Sequence, residues 1–303
     1  MTPRVSVVTP TRDRHDMLSG ALYSALGQRG VELEVIVVDD GSDPPVSEGL
    51  VSDPRLRVAR HDTSAGVSAA RNTGIEQARA PWIAFLDDDD LWAPDKITSQ
   101  LTAAEAADAA WAYGGDVTMD DDLRVIAGEP PPSPGEVMAD LESFNSMPAG
   151  ASNVIVRADA LAAAGPFDPS LKTSEDWDMW IRLARSCGAP AAASRPLVAC
   201  RMHRGSASSN MDVVLAEIET IATRYDVPID RRRHYRWAAW TALRAGRRLE
   251  SIVRYLQATA RGDVGALGRI AVVVLNPTLA RRRDYPRNEW TAEAVKWIER
   301  LSR

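Results

Sequence analysis

The feature that most restricts how this 303-residue chain can fold is the alternation, across its first hundred residues, of short β-branched apolar runs with stretches of helical period. Runs at Val5–Thr9, Leu33–Val38, Leu56–Ala59 and Trp82–Leu86 read as strands, and segments at His15–Leu26, Val46–Val51 and Val67–Ala78 read as helices. Strand–helix–strand repetition implies crossover connections and therefore parallel strands covered by helices. Gly27 and Gly30 supply the break after the first helix. With 45% apolar residues the chain can bury one large α/β core with a smaller appendage.

Beyond this half-domain the pattern predicts a helix from Pro94 to about Ala107, a strand over Trp111–Val117, and an acidic turn at Asp120-Asp121-Asp122. The proline-rich segment Glu129–Gly135 can continue neither helix nor central strand, and it reads as a flexible loop at the edge of the active site. A strand over Ser152–Arg157, helices over Ala158–Ala164 and Ser174–Ser186, and a last strand near Leu197–Met202 follow. From Val213 onward helical period dominates, broken at Pro228, Gly246, Gly262–Gly268 and Pro277. The chain therefore divides into an α/β catalytic unit, residues 1–211, and a helical extension, residues 212–303.

Composition excludes several classes. The two cysteines, Cys187 and Cys200, have no metal-ligand spacing and suit a reducing compartment as ordinary small apolar residues. No signal peptide precedes the strand at Val5, so the expected location is cytoplasmic. The least charged stretch, about Ile270–Ala280, contains Asn276 and Pro277 and falls short of the ~20 residues a membrane span needs. The net charge of −6 argues against nucleic acid as partner, yet residues 231–303 carry 17 basic against 6 acidic residues, a balance of +11. Within them Arg231–Arg248 mixes clustered arginines with Tyr235, Trp237 and Trp240. Such a stretch either lies at an anionic bilayer, a peripheral contact through the basic tail, or packs its aromatic face on the catalytic unit with its arginines in water.

The chemistry is carried by acids at strand ends. Asp87-Asp88-Asp89-Asp90 follows directly on an apolar strand, so four carboxylates reach the C-terminal edge of the sheet, where open α/β folds bind ligands. Mg²⁺ or Mn²⁺ would relieve their repulsion and keep coordination positions for water and phosphate oxygens. The plainer reading is an acidic turn capping the helix at Pro94. Asp39-Asp40 ends a second strand ahead of Gly41-Ser42. An aspartate there can accept the N3 hydrogen of a pyrimidine, or cap a helix. Neither G-x-G-x-x-G after the first strand nor G-x-x-x-x-G-K-[ST] anywhere is present, which disfavours dinucleotide oxidoreductases and P-loop enzymes.

Val5-Ser-Val-Val-Thr-Pro-Thr11, Val37-Val-Asp-Asp-Gly-Ser42, Gly66-Val-Ser-Ala-Ala-Arg-Asn-Thr-Gly74, Phe85-Leu-Asp-Asp-Asp-Asp90 and Glu175-Asp176 together resemble the ordered motif set of family 2 glycosyltransferases. The resemblance covers roughly residues 4–205 and implies a GT-A fold and inversion at the anomeric carbon. It implies a metal-dependent enzyme that uses a UDP- or dTDP-sugar, with the acceptor left open among a glycan, a lipid-linked sugar and a small natural product. Donor contacts would come from Thr9, Pro10, Arg12, Asp40, Arg71 and Asp88, and metal ligation from Asp87 and Asp89. Asp90 would be a helix cap. Arg201-Met-His203-Arg204 resembles the family's R-x-H element, with His203 a metal or phosphate ligand. Asp176 maps to the catalytic base, with Glu175 and Asp178 as positional rivals. Trp177 and Trp180 would form either an acceptor platform or core. The competing functions are a sugar-nucleotide pyrophosphorylase, which should show a glycine-rich N-terminal loop with a basic residue, and a nucleotide-sugar-binding protein without turnover.

Overall fold

The four apolar runs of the N-terminal half become β1 (Val5–Thr11), β2 (Leu33–Asp39), β3 (Leu56–Arg60) and β4 (Trp82–Phe85). They pair in parallel in the order β3-β2-β1-β4. Every residue of β1 and β2 is buried, as expected of parallel strands covered on both faces. The computed structural model describes residues 2–46, 50–203, 211–244, 246–275 and 288–301.

Past β4 the sheet becomes mixed. Antiparallel β8 (Ile155–Arg157) links β4 to β6 (Trp111–Met119), which pairs in parallel with β9 (Ala191–Arg201). The two-residue β5 (Leu91–Trp92) closes that edge, and β7 (Val125–Glu129) pairs with the end of β6 that β8 does not reach. Six helices belong to this unit: α1 (His15–Leu26), α2 (Val67–Gln77), α3 (Lys96–Ala107), α4 (Pro134–Asp140), α5 (Ala158–Ala164) and α6 (Glu175–Cys187). One motif glycine has a packing reason. A Cβ on Gly74 would meet Val8 Cγ1 at 2.3 Å, so only glycine lets α2 rest this closely on β1.

Several sequence expectations are corrected. Of the helix expected over 46–51, residues 47–49 lie outside the described residues, and Val46, Leu50 and Val51 are not helical. The proline-rich segment is not all loop. Ser133 and Glu136 form a reciprocal capping box with Pro134 in the first turn, so the prolines lead into α4. Helix α3 starts at Lys96 with Asp95 before it, two residues beyond Pro94. Ser152 and Asn153 belong to a 3₁₀ turn, Gly150–Asn153, that precedes β8. Trp177 and Trp180 are core, the latter stacked on Trp111 with ring centroids 6.0 Å apart.

The C-terminal region forms α7 (Met211–Tyr225), α8 (Arg231–Arg244), α9 (Arg248–Thr259), α10 (Gly265–Leu275) and α11 (Glu289–Leu301). These helices attach unequally. Val214, Ile218 and Ile221 of α7 enter the same apolar cluster as Phe85, Trp111 and Trp180. On the other side Ala294, Trp297 and Ile298 of α11 pack with Leu197 and Val198, and Trp297 Nε1 donates to the Pro196 carbonyl at 3.2 Å. By contrast α8, α9 and α10 share a small cluster of their own around Leu243, Tyr255 and Val273.

The arginines at the start of α8 lie at the surface, Arg231 and Arg232 exposed, and each has a carboxylate partner within the chain. Arg231 pairs with Glu219, Arg232 with Asp230, Arg233 with Asp140 and Arg236 with Asp263. Among the described residues no helix is long and apolar enough to cross a membrane.

Candidate active site

The ends of β1, β2 and β4 open onto a cleft of about 1410 Å³, and both acidic clusters singled out in the sequence line it. After β4 the acids form a turn closed by the Asp90 amide on the Asp87 carbonyl at 3.2 Å: Asp87 and Asp89 are half-buried toward the cleft, Asp88 and Asp90 are buried. Asp88 accepts from Thr11 Oγ1 at 2.7 Å and from Arg14 Nη1 at 3.0 Å. Burial, and then the Asp89 charge, still push its carboxyl up to about 6. Asp90 is not a helix cap. Its Oδ1 accepts the Arg201 amide at 2.9 Å and so ties the end of β9 to the acidic run. Burial beside Asp89 and Asp87 raises it well above the ordinary carboxylate range.

Arg14 escaped the sequence reading. Its Nη1 also reaches Asp89 Oδ2 at 2.9 Å, so one guanidinium spans two of the four acids. His203 Nε2 lies 2.9 Å from the same Asp89 oxygen, and Arg201 Nε donates to the Asp89 carbonyl at 3.0 Å. The R-x-H element and the acidic run therefore meet at Asp89. Arg204, the other arginine of that element, lies outside the described residues.

The nucleotide-side candidates separate. Pro10 and Arg12 line the cleft, together with Thr11. Thr9 does not. It is fully buried behind them, and its hydroxyl has no hydrogen-bond partner. Asp40 lines the cleft with a carboxylate that is already fully used: Oδ1 takes the Ala65 amide and His61 Nδ1, Oδ2 takes Ser64 Oγ and the Gly66 amide, all within 2.9 Å. These bonds hold its pKa below the ordinary aspartate value despite burial. Base readout by Asp40 would therefore exchange one of these partners for the base. Its neighbour Asp39 closes the following turn by accepting the Ser42 and Val46 amides and pairing with Arg60.

Arg71 joins the two walls of the cleft. It is 2% exposed and donates from Nη2 to Asp87 at 2.7 Å and from Nη1 to Glu175 at 2.5 Å, with its guanidinium over the Phe167 ring. The sequence assigned Arg71 to the nucleotide. The structure places it between the acidic run and the first turn of α6, where a buried cation needs both carboxylates.

Asp176 follows Glu175 at the start of α6 and lines the cleft half-buried, with Oδ1 accepting its neighbour's amide, Trp177 N, at 2.6 Å. Burial first, and the Glu175 charge second, raise its pKa to about 7 against the pull of Arg71. That poise suits a carboxyl that must take up a proton near neutral pH. Asp178, the other rival, is committed elsewhere: it binds Arg182, Arg224 and the Tyr225 hydroxyl.

The extension completes this wall. Glu217 of α7 accepts the Lys172 amide at 2.7 Å, the Thr173 amide at 3.0 Å, Thr173 Oγ1 at 2.8 Å and the Ser174 amide at 3.0 Å. A single carboxylate thus fixes the segment leading into Glu175 and Asp176. From α8, His234, Trp237 and Trp240 also line the cleft, and His234 sits between the rings of Phe144 and Trp177 with burial lowering its pKa to about 4. Nothing in the family-like motifs pointed to Glu217 or to these aromatic residues, because they lie outside the stretch that carries the resemblance.

The site's charge bears on a metal. Among the lining residues ten carboxylates face six lysine and arginine side chains, an excess that would repel a diphosphate unless a cation offset it. No group of three or more His, Cys, Asp or Glu side chains converges as a metal cage among the described residues. The adjacent Asp89 carboxylate and His203 imidazole are a two-donor set. This fits Mg²⁺ or Mn²⁺, which keep most positions for water and phosphate oxygens. Asp87 is directed instead to Arg71.

A half-parallel sheet with acids at its C-terminal edge, facing a second carboxylate pair across a cleft, defines the GT-A type of nucleotide-diphospho-sugar transferase fold. The chain belongs to glycosyl transferase family 2, which it matches over residues 6–160. Succinoglycan biosynthesis protein ExoO of Rhizobium meliloti is 41% identical over 109 residues, 35% of this chain and 31% of that protein. UDP-Glc:alpha-D-GlcNAc-diphosphoundecaprenol beta-1,3-glucosyltransferase WfgD of Escherichia coli is 30% identical over 112 residues, 36% of this chain and 44% of that one. The chain thus spans less than half the length of these two curated relatives. The S. aureus TarS 1–349 crystal structure in complex with UDP-GlcNAc shares the fold, with TM-score 0.56 over 92% of this chain and 89% of that one at 14% identity.

Proposed function

We propose that this chain is an inverting glycosyltransferase that moves a sugar from a UDP or dTDP donor to an acceptor hydroxyl. The observation that carries the reading is Arg71, whose bridge from Asp87 to Glu175 ties the acidic run to the Glu175-Asp176 pair in one cleft. In-line displacement would then place the leaving diphosphate at the acidic run and the attacking oxygen at Asp176. On the acceptor side Asp176 takes the hydroxyl proton as the oxygen attacks C1. On the donor side Asp89 and His203 would hold a divalent cation, which when bound supplies charge neutralisation at the diphosphate. Arg14 orients Asp88 and Asp89, and Arg71 holds Glu175 beside the base.

The UDP-GlcNAc complex of the structurally similar TarS supports a uridine nucleotide, and the name of WfgD supports a lipid-linked saccharide among the possible acceptors. The half-buried Trp237 and Trp240 give the acceptor side flat apolar faces on which a sugar ring can rest. The test is donor hydrolysis by the full chain with Mn²⁺, read by proton NMR across a panel of UDP- and dTDP-sugars. An α-linked donor should first release the β-anomer. First release of the α-anomer would overturn inversion, and absence of hydrolysis across the panel would overturn the activity.

A further inference from the structure

Large apolar side chains exposed on a protein are ordinary when scattered and meaningful when they gather. Here eight of the eleven among the described residues fall between positions 249 and 275. On α9, Leu249, Val253 and Leu256 recur at the spacing of one helical stripe, with Leu249 81% exposed. The buried residues of the same helix, Ser251, Tyr255 and Ala258, lie on its opposite face. On α10 and the residue leading into it, Val264, Leu267 and Leu275 stand outward, at 76%, 52% and 82% exposure, while only Ala266 and Val273 are buried. The sequence of α10, Gly-Ala-Leu-Gly-Arg-Ile-Ala-Val-Val-Val-Leu, has one charge and is apolar around its whole circumference, which in water is the mark of a covered helix.

Charge selects what covers it. The two acids of this segment are spent inward: Glu250 pairs with Arg247 and Arg254, and Asp263 with Arg236. Arg248, Arg261 and Arg269 are exposed and form no salt bridge with a carboxylate among the described residues. Arg248 donates to the Val273 and Val274 carbonyls, and Arg261 donates to the Gln257 carbonyl and lies over the Tyr235 ring, so their charges are held beside the apolar stripe without being neutralised. A second copy of the chain, docked about a twofold axis, would set this arginine-rimmed face against itself. An anionic surface meets both the apolar stripe and its basic rim. We infer that the outer face of α9 and α10 docks on an anionic lipid bilayer, with the leucines and valines in the headgroup–acyl boundary and the arginines at lipid phosphates.

This surface is not the arginine cluster at the start of α8, which is paired within the protein. It begins one residue after Arg247, which lines the cleft, so a docked molecule would hold the Trp240–Arg247 lip of the cleft at the membrane plane.

The experiment is co-sedimentation of the full chain with vesicles of phosphatidylcholine alone or with one-third phosphatidylglycerol. Binding is expected to the anionic vesicles, weak to the neutral ones and weakened by salt. The triple variant Leu249→Ser, Leu267→Ser, Leu275→Ser should lose about tenfold or more in partitioning. Arg261→Gln with Arg269→Gln should lose about fivefold per charge. All three side chains of the triple variant are exposed, so its UDP binding and Tm should match the wild type and show that it folds. Wild-type protein that ignores anionic vesicles, or a folded triple variant that binds them equally well, overturns the inference. Concentration-dependent dimerisation in ultracentrifugation that the triple variant abolishes, without vesicle binding, assigns the face to a second copy and overturns it too.

Discussion

The two walls of the cleft are built by different means. The sheet wall is made of strand ends, and its acids, in the turn after β4, are held by Thr11 and Arg14 from the end of β1 and the loop that follows it. The helix wall is built on the first turn of α6, whose tryptophans pack on the sheet. The residues just before Asp176 are held by other elements: Glu175 by Arg71 of α2 and the Ser174 amide by Glu217 of α7. On the proposed reading, the donor side would rest mostly on the first ninety residues, joined by Arg201 and His203 at the end of β9, and the acceptor side on contacts that α7 supplies.

The largest effect should come from the helix wall. Asp176→Asn keeps shape and removes the proton acceptor, so donor binding should persist while turnover drops by about 10²- to 10⁴-fold. Rate should climb with pH toward a plateau above about 7 in the wild type, since the base must be ionised, and this limb should vanish in the variant. Stability moves the other way. A carboxyl whose folded pKa lies above its unfolded value favours folding fully at acid pH and loses that contribution as pH rises through about 7, so the variant should melt higher than wild type at pH 8. Wild-type hydrolysis in Asp176→Asn, with collapse in Glu175→Gln, would move the base by one residue.

Next comes the sheet wall. EDTA should weaken UDP binding by about tenfold or more in calorimetry, and Asp89→Ala should remove most of the Mn²⁺ dependence. Equal affinity with and without chelator takes the metal out of the scheme. Glu217→Ala tests whether the walls are as separate as their construction suggests. It strands three amides, each unmet hydrogen bond costing about 1–3 kcal/mol, so Tm should fall by several degrees and kcat by about tenfold, with donor KM unchanged. A drop in Tm with kcat unchanged would leave Glu217 a purely structural residue. The smallest effect is expected for Asp40→Ala, about fivefold in UDP affinity. Unchanged affinity in the folded variant would reduce Asp40 to an anchor for residues 64–66.

What the sequence disclosed follows the same division. Local patterns showed the parallel half of the sheet and the acids after β4, because each depends on residues adjacent in sequence, while the Glu175-Asp176 pair came from the resemblance to family 2 glycosyltransferases. Thr9 was misplaced by a short step: it shares the pleat of Thr11, and the cleft opens only past it. Arg14 was missed because a lone arginine in a loop resembles any solvated charge until its distance to Asp88 and Asp89 is known. Asp90 was read as a cap because the helix was set two residues early. Glu217 carried no motif at all, and the partners that give it meaning are backbone amides.

The Glu217 clamp also orders events in time. A chain emerging from the ribosome can pair β1 through β4 and bring Asp87–Asp90 to the sheet edge long before residue 217 has been made. The segment 172–174 finds its acceptor only once α7 has been synthesised and docked. On the proposed reading, the acids that would face the donor are placed early, whereas His203 and the turn carrying Asp176 are set only late, so the site would be completed from the sheet edge outward.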